Sequence, residues 1–289
     1  MINALSVDVE EYFQVSAFDQ VIDRRRWPAL ESRLANPLHR ILDLFDRYKT
    51  NATFFVLGWI AERHPALIGE IHARGHEIAS HGYEHRLIYE SSPNHFAGDL
   101  ERSRKTLEDI TGHGILGYRA PSYSITRENM WAFDALIEQG FVYDSSIFPI
   151  HHDRYGISGS PRFPYTIRRK NGRILEFPLS TARIMGGNIP VAGGGYLRLF
   201  PFPLIRWGLR HINRKEKEPF ILYFHPWEID PEQPRQAVNA VTRFRHYHNL
   251  NRMEGKIEHL LQEFTFTSVS GLLKVLFSHD YTETTGTAT

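Results

Sequence analysis

An α/β fold, a distorted barrel of about seven strands joined by helical crossovers in a single domain, is what the sequence predicts. Three observations carry that expectation. Short β-branched and aromatic runs alternate with amphipathic stretches, the pattern of parallel strands with helices between them. The chain has 289 residues and is 42% hydrophobic, enough for a large core, and barrels of this kind reach such a length as one domain. Polar side chains able to do chemistry also recur just past successive strand ends, where a parallel barrel places its active face.

Residues 4–9 (ALSVDV) read as a short buried strand ending in acidic residues. Asn36 and Pro37 read as a cap and first-turn proline for a helix whose Leu38, Ile41, Leu42 and Phe45 share one face. TFFVLG at 53–58 is a second strand closed by glycine. Residues 65–74 form a helix with Leu67, Ile68 and Ile71 inward and Gly75 as its stop. Residues 77–80 make a third strand leading into His81, and residues 93–110 a long helix with Phe96, Leu100, Leu107 and Ile110 on one side. Next come a strand at 115–118, a helix at 129–139 ended by Gly140 and a strand at 141–143 running into Asp144.

The stretch 150–199 is rich in glycine and proline and predicts hairpins or long loops, with the three glycines at 193–195 read as a turn. A strand at 220–224 ends at His225. Beyond Pro231 the chain reads as helical with Leu260, Leu261 and Phe264 inward, before a last strand at 266–269. The domain is expected over 1–281, with 282–289 a disordered threonine-rich tail.

Composition removes several function classes. Thirty-four Lys and Arg against 33 Asp and Glu leave a net charge of +1, which gives no electrostatic case for nucleic acid or an anionic membrane surface. With no cysteine there is no disulfide, thiolate ligand or cysteine nucleophile. MINALSVDVEEYF lacks the basic and apolar regions of a signal peptide. No stretch approaches the ~18 apolar residues of a transmembrane helix, so the expected location is cytoplasmic.

The chemistry gathers at the strand ends. On an extended segment i and i+2 share a face, so Asp8 and Glu10 point together and Glu11 away. Taken alone, that cluster is at least as often a solvated strand end. In SHGYEH, His81 and His85 at i, i+4 on a helical turn can aim both imidazoles at one metal. A carboxylate would complete a two-His-one-carboxylate site with positions open for water and substrate. Such a pair is also common as a surface feature; the buried strand before it and the carboxylates elsewhere favour ligation. Arg119, Asp144 and His225 are the remaining strand-end groups, each singly as consistent with a salt bridge, a cap or a strand end. Trp227 and Tyr143 can stack on sugar faces or fill a core. His246 and His248, close to Arg243 and Arg245, read as a solvated face.

SVDVEEYF, SHGYEH, RAPSYS, FVYDSS and LYFHP, in this order, resemble the five motifs of the NodB-like polysaccharide deacetylases of the carbohydrate esterase family 4 type. TFFVLG resembles the second strand of that family, and the resemblance spans roughly residues 5–226. More narrowly, the chain is similar to the branch found with bacterial exopolysaccharide and exosortase gene clusters, which has an extended C-terminal region like the one that begins at HPWEID in this chain.

The resemblance implies a divalent metal, zinc first, with cobalt, nickel or manganese able to occupy the same site. It implies Glu10, His81 and His85 as ligands, Asp8 as the general base that deprotonates the attacking water, and Arg119 as the group that holds Asp8. It further implies His225 as the general acid, Asp144 as the residue orienting it, and a backbone N–H at Ser122 or Tyr123 as oxyanion donor. Tyr123 and Trp227 would meet the substrate. The implied reaction is hydrolysis of N-acetyl groups on amino sugars of a polysaccharide or its lipid-linked precursor. The chain departs from the family in placing Val9 between its two carboxylates and Ser122 where an aromatic often follows the proline. Two alternatives are a cyclic amide or ureide hydrolase of the allantoinase or imidase kind, and a non-catalytic component of exopolysaccharide assembly.

Overall fold

A computed structural model describes residues 1–152 and 154–278; the expected domain end at 281 and the tail from 282 lie outside the described residues. Strand β1 (Ile2–Val9) is followed by helix α1 (Ala35–Arg47), β2 (Thr53–Val56), α2 (Gly58–Arg63), α3 (Pro65–Ala73) and β3 (Glu77–Ser80). Next come α4 (Pro93–Thr111), β4 (Gly117–Tyr118), α5 (Ala132–Glu138) and β5 (Tyr143–Asp144). Two hairpins come after them, β6 (Tyr165–Arg169) with β7 (Gly172–Glu176) and β8 (Thr181–Ile184) with β9 (Gly187–Pro190). Helices α6 (Gly195–Leu199) and α7 (Phe202–His211) lead to β10 (Ile221–Phe224), and α8 (Ala240–Tyr247), α9 (Leu250–Glu263), β11 (Thr265–Thr267) and α10 (Val269–Leu276) complete the order.

The wall of the barrel runs β10-β1-β2-β3-β4-β5-β7, seven strands all parallel to their neighbours, with β6 added antiparallel on β7 and β11 added parallel on β1. Among the described residues no ladder joins β10 to β7. The gap is bridged by the segment around 180–194, where Ser180 Oγ accepts from the Ile221 N–H at 2.8 Å and the Ala192 carbonyl accepts from Tyr223 at 2.7 Å. Gly193 makes that contact possible: at φ +126°, an added Cβ would lie 1.9 Å from the Tyr223 carbonyl oxygen. The glycines read as a turn therefore help close the barrel, because only a chain without side chains can pass so near another backbone.

Strand alternation sorts the side chains. Ala4, Phe55, Ala79, Tyr143, Leu175, Ile221 and Tyr223 fill the inside of the barrel. Leu5, Val7, Val9, Phe54, Val56 and Phe224 face outward into the larger core beneath the helices. Each covering helix buries the face that its apolar spacing defines: Leu38, Ile41, Leu42 and Phe45 from α1, and Phe96, Leu100 and Leu107 from α4. The β1 register that sends Val7 and Val9 outward necessarily sends Ser6 and Asp8 inward.

Several local expectations are corrected. Asn36 is not the cap of α1; Leu34 holds that position without a side-chain bond, and Asn36 lies inside the first turn. The helix expected from 129 begins at Ala132, because Thr126 and Asn129 form a capping box around a separate turn at Arg127–Asn129. The last strand ends at Thr267, and Ser268 caps α10, an element that the apolar spacing had not suggested.

His76 gives the fold a pH signature. It lies between the rings of Phe45 and Phe54 at centroid distances of 5.7 and 5.1 Å, with Nδ1 accepting from the Ala52 N–H at 3.3 Å. Burial pushes its pKa down to about 4, from the usual value near 6.5. Between those values the unfolded chain binds a proton that the folded one refuses. Stability from this residue is therefore complete above pH 6.5 and is lost as pH falls towards 4. Urea midpoints should show a loss of roughly 2 kcal/mol from this source between pH 6.5 and 5, and His76→Asn should remove that component of the slope.

Candidate active site

Asp8 and Glu10 stand at the C-terminal end of β1, both buried. A buried carboxylate needs a compensating charge, and Asp8 has one. The Arg119 guanidinium, fully buried one residue past β4, donates from Nη1 to Asp8 Oδ1 at 2.5 Å and to Ser6 Oγ at 2.9 Å. Its other nitrogens donate to the Ser145 carbonyl at 3.1 Å and Ser145 Oγ at 2.9 Å, and it lies 4.0 Å over the Phe55 ring. So many partners leave Arg119 one orientation, and Asp8 is held with it.

His81 and His85 follow β3 in a loop, not on a helical turn. Gly82 at φ +76° and His85 at φ +54° break any helical path. The loop is instead pinned by its neighbours. The first N–H groups of α2, from Gly58 and Trp59, donate to the carbonyls of Gly82 and Tyr83, each at 2.9 Å. From α4, Ser103 Oγ donates to the Gly82 carbonyl at 3.0 Å and Asp99 Oδ2 accepts from the Tyr83 N–H at 2.8 Å. Both imidazoles turn onto Glu10, with His81 Nε2 and His85 Nε2 each 3.0 Å from Glu10 Oε1. Burial opposes ionisation of Glu10, but the charges of His85 and His225 and the bonds from His81 and His85 outweigh it and hold the carboxyl well below the usual range.

His225, directly after β10, faces this group with Nε2 lying 4.0 Å from Asp8 Oδ2 and 3.9 Å from Glu10 Oε1. The expectation that Asp144 orients it is corrected by the structure. Asp144 accepts from the Ser146 N–H at 2.9 Å and from Ser146 Oγ at 2.7 Å, and it shares a buried pocket with Glu176. Burial and the adjacent Asp144 charge push the Glu176 carboxyl well up.

The partner of His225 is Glu228, whose Oε2 lies 3.0 Å from Nδ1 and also accepts the His225 backbone N–H. Glu228 Oε1 in turn accepts from Arg198 Nε at 2.6 Å, an ion pair with both side chains buried. Burial works against a charged Glu228, but Arg198 and His225 hold its pKa near 2. Burial likewise works against a charged His225, yet Glu10, Glu228 and Asp8 raise its pKa to about 9. In metal-free protein, Glu228→Gln should lower the His225 pKa by about 1 unit or more, as read by imidazole NMR titration, while Asp144→Asn should not.

Trp227 stacks on His225 at 5.0 Å between ring centroids and on His246 at 4.3 Å, which commits its ring to these two imidazoles. His246 is accordingly a buried member of this stack, with Nε2 2.7 Å from Gln233 Oε1, and not part of a solvated face. Arg198, Glu228 and His246 were missed. HPWEID did contain the Glu228 signal, a carboxylate at i+3 from the histidine that closes a capping box around a short turn. Nothing local marks Arg198. Tyr123 lies near the base, with its hydroxyl 3.4 Å from Asp8 Oδ2. Its backbone N–H is committed to the Ala120 carbonyl at 3.0 Å, whereas Ser122 N–H has no backbone acceptor among the described residues.

Glu10, His81 and His85 suit a divalent cation: one ligand atom from each lies within 4.8 Å of the others, and all three residues are buried. His81 Nδ1 is 2.8 Å from the Arg119 carbonyl, which fixes its tautomer and leaves the Nε2 lone pair for the ion. A set of two imidazoles and one carboxylate, with a second carboxylate and an imidazolium opposite, can activate a water and protonate a leaving group.

Fold and site together define an α/β barrel whose strand ends gather a His-His-carboxylate centre beside an acid–base pair. Residues 33–136 match the polysaccharide deacetylase family model. Residues 145–274 match a domain of unknown function, DUF3473. Asp8 and Glu10 precede both matches, and Arg198, His225 and Glu228 fall in the second. The chain is 31% identical to a peptidoglycan deacetylase of Helicobacter pylori over 46% of this chain and 45% of that protein. It is also 31% identical to a peptidoglycan-N-acetylglucosamine deacetylase of Bacillus cereus over 39% of this chain and 51% of that protein. It thus spans about half the length of these relatives. A candidate polysaccharide deacetylase from Mycobacterium smegmatis shares the fold with a TM-score of 0.67 and 19% identity over 96% of this chain and 91% of that one. The Puue allantoinase shares it with a TM-score of 0.60 and 14% identity over 96% and 90%. Among the described residues no helix is long and apolar enough to cross a membrane.

Proposed function

We propose that this protein is a metal-dependent deacetylase that hydrolyses N-acetyl groups of amino sugars in a polysaccharide or its lipid-linked precursor. The observation that carries the reading is the convergence of His81 Nε2 and His85 Nε2 on Glu10, with Asp8 and His225 Nε2 about 4 Å apart beside them. Glu10, His81 and His85 would hold a divalent cation, zinc by donor type, which would supply Lewis-acid chemistry for the acetyl carbonyl and for water.

The chain's own residues do the rest. Asp8, fixed by Arg119, accepts a proton from water as its oxygen bonds to the acetyl carbon. The Ser122 N–H is the backbone donor for the oxyanion that develops. His225, paired through Nδ1 with Glu228, gives its Nε2 proton to the sugar nitrogen as the carbon–nitrogen bond breaks, leaving a free amine and acetate.

The test is acetate release from N-acetylglucosamine oligomers by the zinc-loaded protein, run beside hydantoin-type rings. Acetate from the sugars with the rings untouched supports the reading. Opening of the rings alone would transfer the same site to cyclic amides, and sugar binding without hydrolysis would favour a non-catalytic part in polysaccharide assembly.

A further inference from the structure

Two cavities open at the active end of the barrel. The smaller, about 400 Å³, contains Asp8, Glu10, His85 and His225. The larger, about 810 Å³, adjoins it, and both share walls formed by Ser16, Tyr155, Tyr223 and Trp227. They form one continuous cleft with the catalytic groups at one end. Its volume exceeds what a single acetamido sugar needs, and rings of Tyr196 and Phe200 give the larger chamber an apolar side.

Carboxylates are distributed unevenly along this cleft. The catalytic end carries four carboxylates, from Asp8, Glu10, Asp19 and Glu90. Among the described residues no Asp or Glu lines the larger chamber, whereas Arg198 and Arg245 do, and Arg154 stands at the boundary and borders both cavities. Arg198 is committed to Glu228. Arg154 and Arg245 make no ion pair among the described residues, although Asp19 lies close enough to feel the charge of Arg154. Arg245 beside a sugar-sized space with no carboxylate among its described lining residues, and Arg154 at the boundary, favour an anion there, and the carboxylates at the other end repel one.

We propose that the larger chamber is a subsite for a negatively charged unit adjoining the N-acetylated sugar, so that the substrate is an acidic glycan. The inference rests on the deacetylase reading above. The division of charge sets the register of the chain: the neutral acetamido sugar lies at Asp8 and His225, and the anionic unit lies under Arg154 and Arg245. A sugar carboxylate and a phosphodiester share this chemistry, and the experiment separates them.

The zinc-loaded full chain is given three acetylated oligosaccharides of equal length. One is neutral, one alternates N-acetylhexosamine with uronic acid, and one carries a phosphodiester on the neighbouring sugar. One anionic substrate is expected to exceed the neutral one roughly tenfold in kcat/KM at low salt, through KM, with the advantage shrinking as salt rises. Arg245→Gln should reduce that substrate to the neutral level and leave the neutral one unchanged. Arg214→Gln, in the turn before β10 at the far end of the barrel, removes an equal charge and should change neither. Equal cleavage of all three, or an equal loss on all three in Arg245→Gln, overturns the subsite. If none releases acetate, the deacetylase reading has failed by itself, and calorimetric binding of the same oligosaccharides still decides. Charge-selective binding lost in Arg245→Gln supports the subsite, and its absence overturns it.

Discussion

His81→Ala is expected to abolish stoichiometric binding of zinc. Purified wild-type protein should retain about one equivalent after dialysis, while the variant should bind at least ~100-fold more weakly, since loss of even an outer-shell partner costs 10–100-fold. The consequence extends to stability. A ligand that binds only the folded state at a thousand times its dissociation constant adds about 4 kcal/mol, so zinc should raise the wild-type melting temperature by several degrees and leave that of His81→Ala unmoved. His85→Ala and Glu10→Ala should behave alike, because the two imidazoles converge on one carboxylate oxygen. Metal content by elemental analysis and melting with and without zinc provide the readings. Wild-type protein that takes up no zinc, or a His81→Ala protein that takes it up as tightly, would rule out a metal centre at these residues.

Asp8→Asn should lower turnover on an acetylated sugar by roughly 10²- to 10⁴-fold with zinc content unchanged, the range for loss of a general base. Its partner separates catalysis from stability. Arg119→Met leaves the Asp8 carboxylate buried and uncompensated, which costs about 3–5 kcal/mol for a pair of this kind. Asp8→Asn combined with Arg119→Met should recover part of that loss, since neither charge then remains buried, and urea denaturation of the four proteins gives the coupling. An Asp8→Asn enzyme with full zinc and wild-type turnover would sink the assignment of the base.

Much of the barrel was legible because alternation and amphipathic spacing are local properties. The strand at 77–80 and the inward faces of α1, α3 and α4 come directly from which residues are apolar and how far apart they lie. The shared face of Asp8 and Glu10 came from the two-residue period of a strand. What failed was conformation set by partners. SHGYEH has the spacing of a helical turn, but the N–H groups of α2 and the side chains of Ser103 and Asp99 hold it as a loop. These partners are 16 to 24 residues away in the chain, so no local window contains them. Asp144 sits at the expected strand end, yet its carboxyl turns to Ser146 and Glu176 rather than to His225.

The types of residue at the strand ends, and the phase that turns Asp8 inward, were determined by the sequence itself, because both depend only on neighbours along the chain. That Asp144 turns away from His225, and that Arg198 and His246 stand behind the His225–Glu228 pair, was decided only by the tertiary structure. The reason is distance: Glu228 and Arg198 are 30 residues apart, and a side chain some 3 Å from its partner is placed by packing that composition and spacing do not encode.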